Sequence, residues 1–208
     1  MANENEPSRS VCMINNFKYS SEYLIASPFD SGLYNERGSI FQNRKVYNAK
    51  LDHNSITSYK QALWILEPNS KNSSQFYLIN FQYKDEYMCS FQKHLDIFNN
   101  RRKIGLIRKT SNNDDTFVLT EKCLWDFERM KKMTSDKNLN IISNCEYRES
   151  LYAASDLFKS TKSKQRNVYT WGKRPDSNQF VWNLLCLKNE ELSEMSGTSL
   201  KKLLRLKQ

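Results

Sequence analysis

Glycine, histidine and long apolar runs are scarce in this chain, and each shortage excludes a class of function. The 208 residues include only 5 glycines and 2 histidines. No two glycines have the spacing of G-x-G-x-x-G or G-x-x-x-x-G-K, which excludes both glycine-built phosphate cradles. Two histidines leave little material for a histidine-rich metal site or a Ser-His-Asp triad. The longest purely apolar run, Ala62 to Leu66, has five residues and is far too short to span a membrane.

The cysteines and the first residues predict a location inside the cell. Residues 1–10 are polar and acidic and lack the apolar segment of a secretory signal. The 5 cysteines are odd in number and never form C-x-x-C. We therefore expect reduced, unpaired and mostly buried thiols in a cytoplasmic or nuclear protein, with no metal site and no cofactor. These cysteines are Cys12, Cys89, Cys123, Cys145 and Cys186.

Positive charge is concentrated in the later part of the chain. The formal net charge is +9, from 32 basic and 23 acidic residues. Residues 1–68 are neutral overall, whereas residues 69–138, 139–187 and 188–208 carry +4, +3 and +2. A basic surface favours an acidic partner, such as nucleic acid, anionic lipid or an acidic protein face. The alternative is that the charge only keeps the protein soluble.

One sequence pattern occurs three times, in residues 11–24, 75–88 and 139–152. In each copy an apolar pair precedes an Asn, and a Tyr follows three positions after that Asn; both recur at intervals of 64 residues. Each copy then continues into a basic patch with a β-branched residue and ends on a Trp in an apolar strand. The recurring residues are Asn16, Asn80 and Asn144, Tyr19, Tyr83 and Tyr147, and Trp64, Trp125 and Trp182.

The repeats consist of short alternating segments, so we predict an all-β domain. The predicted domain covers residues 11–187, in repeats 11–68, 69–138 and 139–187. A polar tail, 1–10, precedes it, and a basic amphipathic tail, 188–208, follows it.

Recurrence at equivalent positions favours structural roles for the repeated residues. We expect the three Trp to fill a symmetric core, with ligand stacking as the alternative. The Asn residues should hold hairpins through side-chain to backbone bonds and through their tolerance of the left-handed conformation. The Tyr residues either cap a barrel or face solvent.

The acidic residues of the repeats do not form a recognisable catalytic pair. Glu22 and Glu86 occupy equivalent positions, whereas the third repeat has Ser150 there and Glu149 one residue earlier. Equivalent residues of a threefold domain lie far apart around its barrel. No nucleophile, base and orienting group are spaced in a recognisable way, so we expect no enzymatic activity.

Three repeats of about sixty residues, each closing on a Trp strand, resemble the β-trefoil superfamily. That resemblance implies a six-stranded barrel capped by three hairpins, with pseudo-threefold symmetry. The run N-C-E-Y-R-E-S-L-Y from Asn144, with Asp96, Arg101, Arg102 and Gly105 in the second repeat, is similar to the trefoil domain of insect 30-kilodalton lipoproteins. The Trp strands more loosely resemble ricin-B-like lectins, although the Gln expected two positions before each Trp is missing.

The basic patches and the C-terminal tail are the candidate binding regions. Arg and Lys at this density suit phosphates or a carboxylate-rich face, although a charge run is also typical of a solvated loop. The candidate contacts are Arg101, Arg102, Lys103, Lys162, Lys164 and Arg166. In the tail, Leu200, Leu203 and Leu204 would share one face of a short helix that docks into a partner groove. The alternative is a disordered end or a flap that closes the barrel.

These observations favour a non-enzymatic intracellular binding module. The leading prediction is an adaptor that recognises another macromolecule, above all a protein, through its loops and basic face. The first alternative is a cytosolic carbohydrate-binding lectin, and the second is nucleic-acid binding through the basic face.

Overall fold

A computed structural model shows a chain made mostly of β-strands, as the sequence predicts. The structure describes residues 9–36, 39–52, 54–96, 101–108, 120–130, 138–157, 164–172 and 178–187. The C-terminal tail, with Leu200, Leu203 and Leu204, and the candidate contact Lys162 lie outside these ranges. Within them, no helix is long and apolar enough to cross a membrane.

Twelve strands and three short helices make up the described part of the chain. The strands are β1 (Ser10–Asn16), β2 (Glu22–Glu36), β3 (Ser39–Lys50), β4 (Leu63–Asn69), β5 (Asn72–Asn80), β6 (Glu86–Asp96), β7 (Arg101–Arg108), β8 (Leu124–Arg129), β9 (Leu139–Asn144), β10 (Ser150–Leu157), β11 (Gln165–Trp171) and β12 (Val181–Leu187). Helix α1 (Ile56–Ala62) precedes β4, and 3-10 turns at Glu121–Cys123 and Asn178–Phe180 precede β8 and β12.

Antiparallel pairing closes six of these strands into a ring. The neighbours run β1–β4–β5–β8–β9–β12, and β12 pairs back onto β1 from Val11↔Leu187 to Asn16↔Trp182. The other six strands form the hairpins β2–β3, β6–β7 and β10–β11. The second strands of these hairpins, β3, β7 and β11, each pair with the other two. The molecule is therefore a barrel with three hairpins that converge on one another.

The three repeated Trp residues lie inside the barrel. Trp64, Trp125 and Trp182 are all 0% exposed and belong to one buried cluster. Each indole N–H donates to a backbone carbonyl on the first strand of a hairpin. The acceptors are Leu24 at 2.9 Å, Met88 at 2.8 Å and Leu151 at 3.0 Å. The same buried contact thus occurs three times, which leaves no indole face available to a ligand.

The repeated Asn residues join the barrel to the hairpin turns. Their Nδ2 atoms donate to carbonyls on the segment before β12, β4 or β8: Asn16 to Gln179 at 2.8 Å, Asn80 to Gln61 at 2.9 Å and Asn144 to Lys122 at 2.8 Å. Their Oδ1 atoms accept backbone N–H groups of the following turns. The expected left-handed backbone at these Asn residues is wrong. Among the described non-glycine residues, positive φ occurs at Arg148.

Four of the five cysteines are paired, so the expectation of unpaired thiols is wrong for them. Cys12 on β1 bonds to Cys186 on β12, and Cys89 on β6 bonds to Cys123 before β8. The first pair is 174 residues apart in sequence, and cross-strand pairing between the first and last strands brings it together. Cys145 is the free cysteine. The cysteine argument for a cytoplasmic or nuclear location therefore no longer holds.

Candidate binding face at the converging hairpins

The converging strands β3, β7 and β11 pair in one repeating register. Lys45 pairs with Gly105, Lys103 with Tyr169, and Asn167 with Tyr47. Each strand is thus shifted by two residues relative to the next: Lys45 pairs two residues after Lys103, Lys103 pairs two residues after Asn167, and Asn167 pairs two residues after Lys45. Lys45, Lys103 and Asn167 therefore occupy equivalent places around a closed triangle of strands.

The residue just before each of these positions is an arginine in an ion pair with the next hairpin. The guanidinium–carboxylate distances are 2.8 Å for Arg44–Glu86, 2.9 Å for Arg102–Glu149 and 2.8 Å for Arg166–Glu22. Hairpin β2–β3 thus binds β6–β7, hairpin β6–β7 binds β10–β11, and hairpin β10–β11 binds back to β2–β3. The three pairs form a closed ring of inter-hairpin contacts.

Each of these guanidinium groups also stacks on one of the repeated tyrosines. Arg44 lies 3.6 Å from the ring centroid of Tyr83, Arg102 lies 4.0 Å from Tyr147, and Arg166 lies 3.7 Å from Tyr19. The arginine side chains are 6%, 17% and 13% exposed. Such a partly desolvated stack adds to the attraction of the carboxylate. Arg102 and Arg166, predicted as ligand contacts, therefore hold neighbouring hairpins together.

The third ion pair uses Glu149, whereas sequence alignment sets Ser150 opposite Glu22 and Glu86. The turn of the third hairpin has one residue fewer than the other two. Arg148 closes this shorter turn with φ 52°, and its N–H donates to the Asn144 carbonyl at 2.9 Å. The shortening moves Glu149 into the carboxylate position. In the sequence, the sign that Glu149 is equivalent to Glu22 and Glu86 is that the third repeat has one residue fewer between its Asn and its Glu.

An aromatic and basic surface lies beside the triangle, and we call it the hairpin face. It consists of Lys45, Arg101, Lys103 and Trp171, with the buried ring of Tyr169 beneath them. Lys103 with Tyr169 and Arg101 with Trp171 are cross-strand pairs of β7 and β11, so these side chains share one side of the sheet. Arg101 donates to the Tyr169 hydroxyl at 2.9 Å, and its guanidinium lies 4.7 Å from the ring centroid.

Trp171 is the aromatic residue of the hairpin face that stays half-buried, whereas Tyr169 is buried. Its ring lies edge-on to Tyr152 at 5.4 Å and near Phe180 at 6.3 Å between centroids. The indole nitrogen is buried but has no hydrogen-bond partner in the structure as described. Unlike the three barrel tryptophans, this residue keeps exposed ring surface that a partner can contact.

Burial and like charge perturb the ionisable groups of the hairpin face. Burial first, and then the charge of Lys103, lower the pKa of Lys45 to about 8. Burial also raises the pKa of Tyr169 to about 12, against the opposing hydrogen bond and charge of Arg101. The Lys103 ammonium therefore disfavours the charged form of Lys45. Lys164, another predicted contact, is exposed just before β11.

A polar concavity lies across β5, β8 and β9. Its lining includes Gln75, Asp126, Ser143, Cys145 and Arg148. Burial, followed by the charges of Asp126 and Glu121, raises the pKa of the Cys145 thiol to about 11. Because a thiol is a weak nucleophile, this cysteine is poorly suited to covalent catalysis at neutral pH. In the described ranges, no group of three His, Cys, Asp or Glu side chains could hold a metal ion.

Comparison with solved structures identifies the architecture. The BEL beta-trefoil is similar at a TM-score of 0.53 and 11% identity, over 88% of this chain and 98% of that one. The fold is a β-trefoil. The designed threefold-symmetric protein ThreeFoil matches this trefoil at a TM-score of 0.55 and 9% identity, over 85% and 99% of the two chains.

The SDF2-like protein from Arabidopsis thaliana also resembles this trefoil, at a TM-score of 0.57 and 10% identity over 85% of this chain and 92% of that one. No protein-family model and no curated protein matches the sequence. At these identities the likeness establishes the fold alone. The ligand must therefore be inferred from the residues of this chain.

Proposed function

We propose that this trefoil is a non-enzymatic adaptor that binds an acidic protein through the hairpin face. The observation that carries the proposal is the grouping of Lys45, Arg101 and Lys103 with the half-buried Trp171 on neighbouring strands. Arg and Trp are among the residues most enriched at the energetic centres of protein interfaces. Basic groups around such a centre steer an acidic partner and select it over basic ones.

Two observations favour a protein partner in this proposal over the two alternative ligands. Nucleic-acid binding draws its affinity from many phosphate contacts. Of the predicted basic contacts, Arg102 and Arg166 are already bound to Glu149 and Glu22. A lectin site would need an aromatic platform beside amide or carboxylate groups; the three repeated Trp residues are fully buried, and Trp171 lies opposite the basic Arg101. A protein interface uses the half-buried Trp171 together with the basic groups around it.

We also propose that the domain consists of three equivalent repeats and works in an oxidising compartment. The repeated Trp, Asn and Arg–Glu contacts support pseudo-threefold symmetry. The two disulfides support the compartment, because reduced conditions inside the cell disfavour them. Mass spectrometry of the protein isolated under non-reducing conditions tests the second point. Four oxidised cysteines support it, and five alkylated thiols contradict it.

Affinity capture with charge-reversed variants tests the adaptor function. One bait carries Lys45→Glu, Arg101→Glu and Lys103→Glu, and a control bait carries the same charge change at three exposed residues outside the triangle, Lys71→Glu, Lys84→Glu and Arg129→Glu. We expect an acidic protein to be captured by wild type and by the control, resistant to nuclease, and lost with the hairpin-face variant. Equal capture by all three baits, at equal melting temperatures, would refute the proposal.

A further inference from the structure

A disulfide joins the two strands that close the barrel. Strands β1 and β12 pair over six residues, and we call this ladder the closing seam. Cys12 and Cys186 face each other one pair in from the end of the seam, where β1 begins and β12 ends. Hairpin β2–β3 meets β1 at the opposite end, where Asn15 pairs with Tyr23. The disulfide therefore holds the seam at the barrel end that lies away from the hairpin.

The second disulfide is enclosed on all sides by secondary structure and core. Cys89 lies inside the β6–β7 ladder, where it pairs with Gly105 and has paired residues before and after it. Cys123 ends the 3-10 turn before β8. Both cysteines are 0% exposed and belong to a buried cluster that includes Phe91 and Ile107. A reductant can therefore reach this bond only after the hairpin or the cluster has come apart.

The disulfide of the closing seam is less protected. Cys12 is 0% exposed, but Cys186 is half-buried and packs against the core cluster without being enclosed by it. The seam ends one pair further on, at Val11↔Leu187. Fraying strand ends open at a far lower free energy than the interior of a sheet. Opening of that one pair uncovers Cys186, whereas access to the second disulfide requires the loss of a hairpin.

We propose that Cys12–Cys186 is a redox-sensitive clasp, which a dithiol reductant cleaves selectively and whose cleavage loosens the closing seam. The inference goes beyond the proposed function and does not rest on it. A thiolate of the reductant attacks the Cys186 sulfur, the S–S bond breaks, and the displaced Cys12 sulfur takes up a proton. The second thiol of the reductant then displaces Cys186 as a thiol. The protein gains two electrons and two protons, and the dithiol is oxidised to a disulfide.

Cleavage affects the seam because this bond closes most of the chain into one loop. The bonded cysteines are 174 residues apart in the clasp and 34 residues apart in the second disulfide. A disulfide that closes a longer loop constrains the unfolded chain more. After cleavage, the backbone ladder and core side chains such as Ile14 and Leu184 still hold the seam. The fold is therefore retained but opens more often between β1 and β12.

Timed reduction of the oxidised full-length protein tests the selectivity. The reductant is dithiothreitol without denaturant, new thiols are trapped with N-ethylmaleimide, and peptide mass spectrometry follows each cysteine. We expect Cys12 and Cys186 to be labelled together, about tenfold or more faster than Cys89 and Cys123, because local opening is far more frequent than the loss of a hairpin. Simultaneous labelling of all four cysteines, or earlier labelling of Cys89 and Cys123, overturns the proposal.

Cys145→Ser is the matched control, because a free thiol can attack a disulfide in the same molecule. The pKa of Cys145, raised to about 11 by burial, keeps this thiol protonated at neutral pH. We therefore expect the same order of labelling in Cys145→Ser and in wild type. Loss of the selectivity in Cys145→Ser would assign the cleavage to exchange with Cys145 and overturn direct attack by the reductant.

Hydrogen exchange measures the loosening of the closing seam. Protein taken at the time when only Cys12 and Cys186 are reduced is compared with the oxidised protein. We expect the amides of β1 and β12 to exchange faster after reduction, and those of β6 and β7 to keep their protection. Unchanged protection of β1 and β12, or an equal loss of protection in β6 and β7, refutes a clasp that acts on the seam.

Discussion

Glu86 is the residue at which the ring of ion pairs can be tested most sharply. Its carboxylate is 6% exposed and accepts three hydrogen bonds, two from Arg44 at 2.8 and 3.1 Å and one from Arg108 at 3.1 Å. Glu86→Gln keeps the size and one acceptor oxygen but removes the charge. The Arg44 guanidinium then stays buried against the Tyr83 ring without the negative charge of Glu86.

The cost follows from what Arg44 retains. Its Nη1 still donates to the Ser27 and Pro28 carbonyls at 2.9 and 3.0 Å, so the group stays hydrogen-bonded. Removing one partner of a buried ion pair typically costs about 3–5 kcal/mol of unfolding free energy. Because Gln can accept one bond, we expect the lower end, about 3 kcal/mol. For a domain stabilised by about 5–15 kcal/mol, that is a large loss.

Urea denaturation of matched variants measures this loss. Glu67→Gln is the control, since Glu67 pairs with Arg9 at 2.6 Å and their side chains are 25% and 69% exposed. An exposed pair contributes about 0–1 kcal/mol. We expect a lower urea midpoint for Glu86→Gln with an unchanged slope, and almost no shift for Glu67→Gln. A loss below about 1 kcal/mol for Glu86→Gln would refute a structural role for the ring.

Three further predictions concern the core and the cysteines. Trp125→Ala should cost about 3–5 kcal/mol of unfolding free energy, because it empties a fully buried site and leaves the Met88 carbonyl without its donor; unchanged thermal melting would contradict this. Cys12→Ser/Cys186→Ser should cost about 5 kcal/mol by loop-closure entropy over 174 residues, and a urea midpoint equal to wild type would show that the disulfide does not constrain the unfolded chain. Since the pKa of Cys145 is raised to about 11, its thiolate fraction and its alkylation rate by iodoacetamide should keep rising with pH up to that value; a plateau near pH 9 would contradict the burial.

Much of the barrel could be predicted from sequence because its signals are local and repeated. The Trp strands alternate in hydrophobicity, and the Asn residues recur at a fixed interval of 64 residues. The structure places Trp64, Trp125 and Trp182 in the core, where each makes the same hydrogen bond. A threefold pattern of this kind requires only that each repeat bury its own residues.

The ion pairs and the disulfides could not be predicted, because each joins residues far apart in the chain. Arg166 pairs with Glu22 across a separation of 144 residues, which no local pattern reports. Because the turn at Arg148 is one residue shorter, a simple alignment of the repeats also sets Ser150, and not Glu149, opposite Glu22 and Glu86. The basic patches seen in the sequence therefore contain residues with two different roles. Arg102 and Arg166 hold hairpins together, while Lys103 and Arg101 lie on the hairpin face.

Lysine footprinting with and without the captured acidic protein tests the central claim most directly. Because the pKa of Lys45 is lowered to about 8, the Lys45 side chain is the reactive free amine in roughly a quarter of the molecules at pH 7.5. Acylation therefore reports well on this position. The account predicts that the partner lowers acylation of Lys45 and Lys103 and leaves Lys71 and Lys84 unchanged. Protection of Lys71 and Lys84, with Lys45 and Lys103 still fully acylated, would contradict a partner bound at the hairpin face.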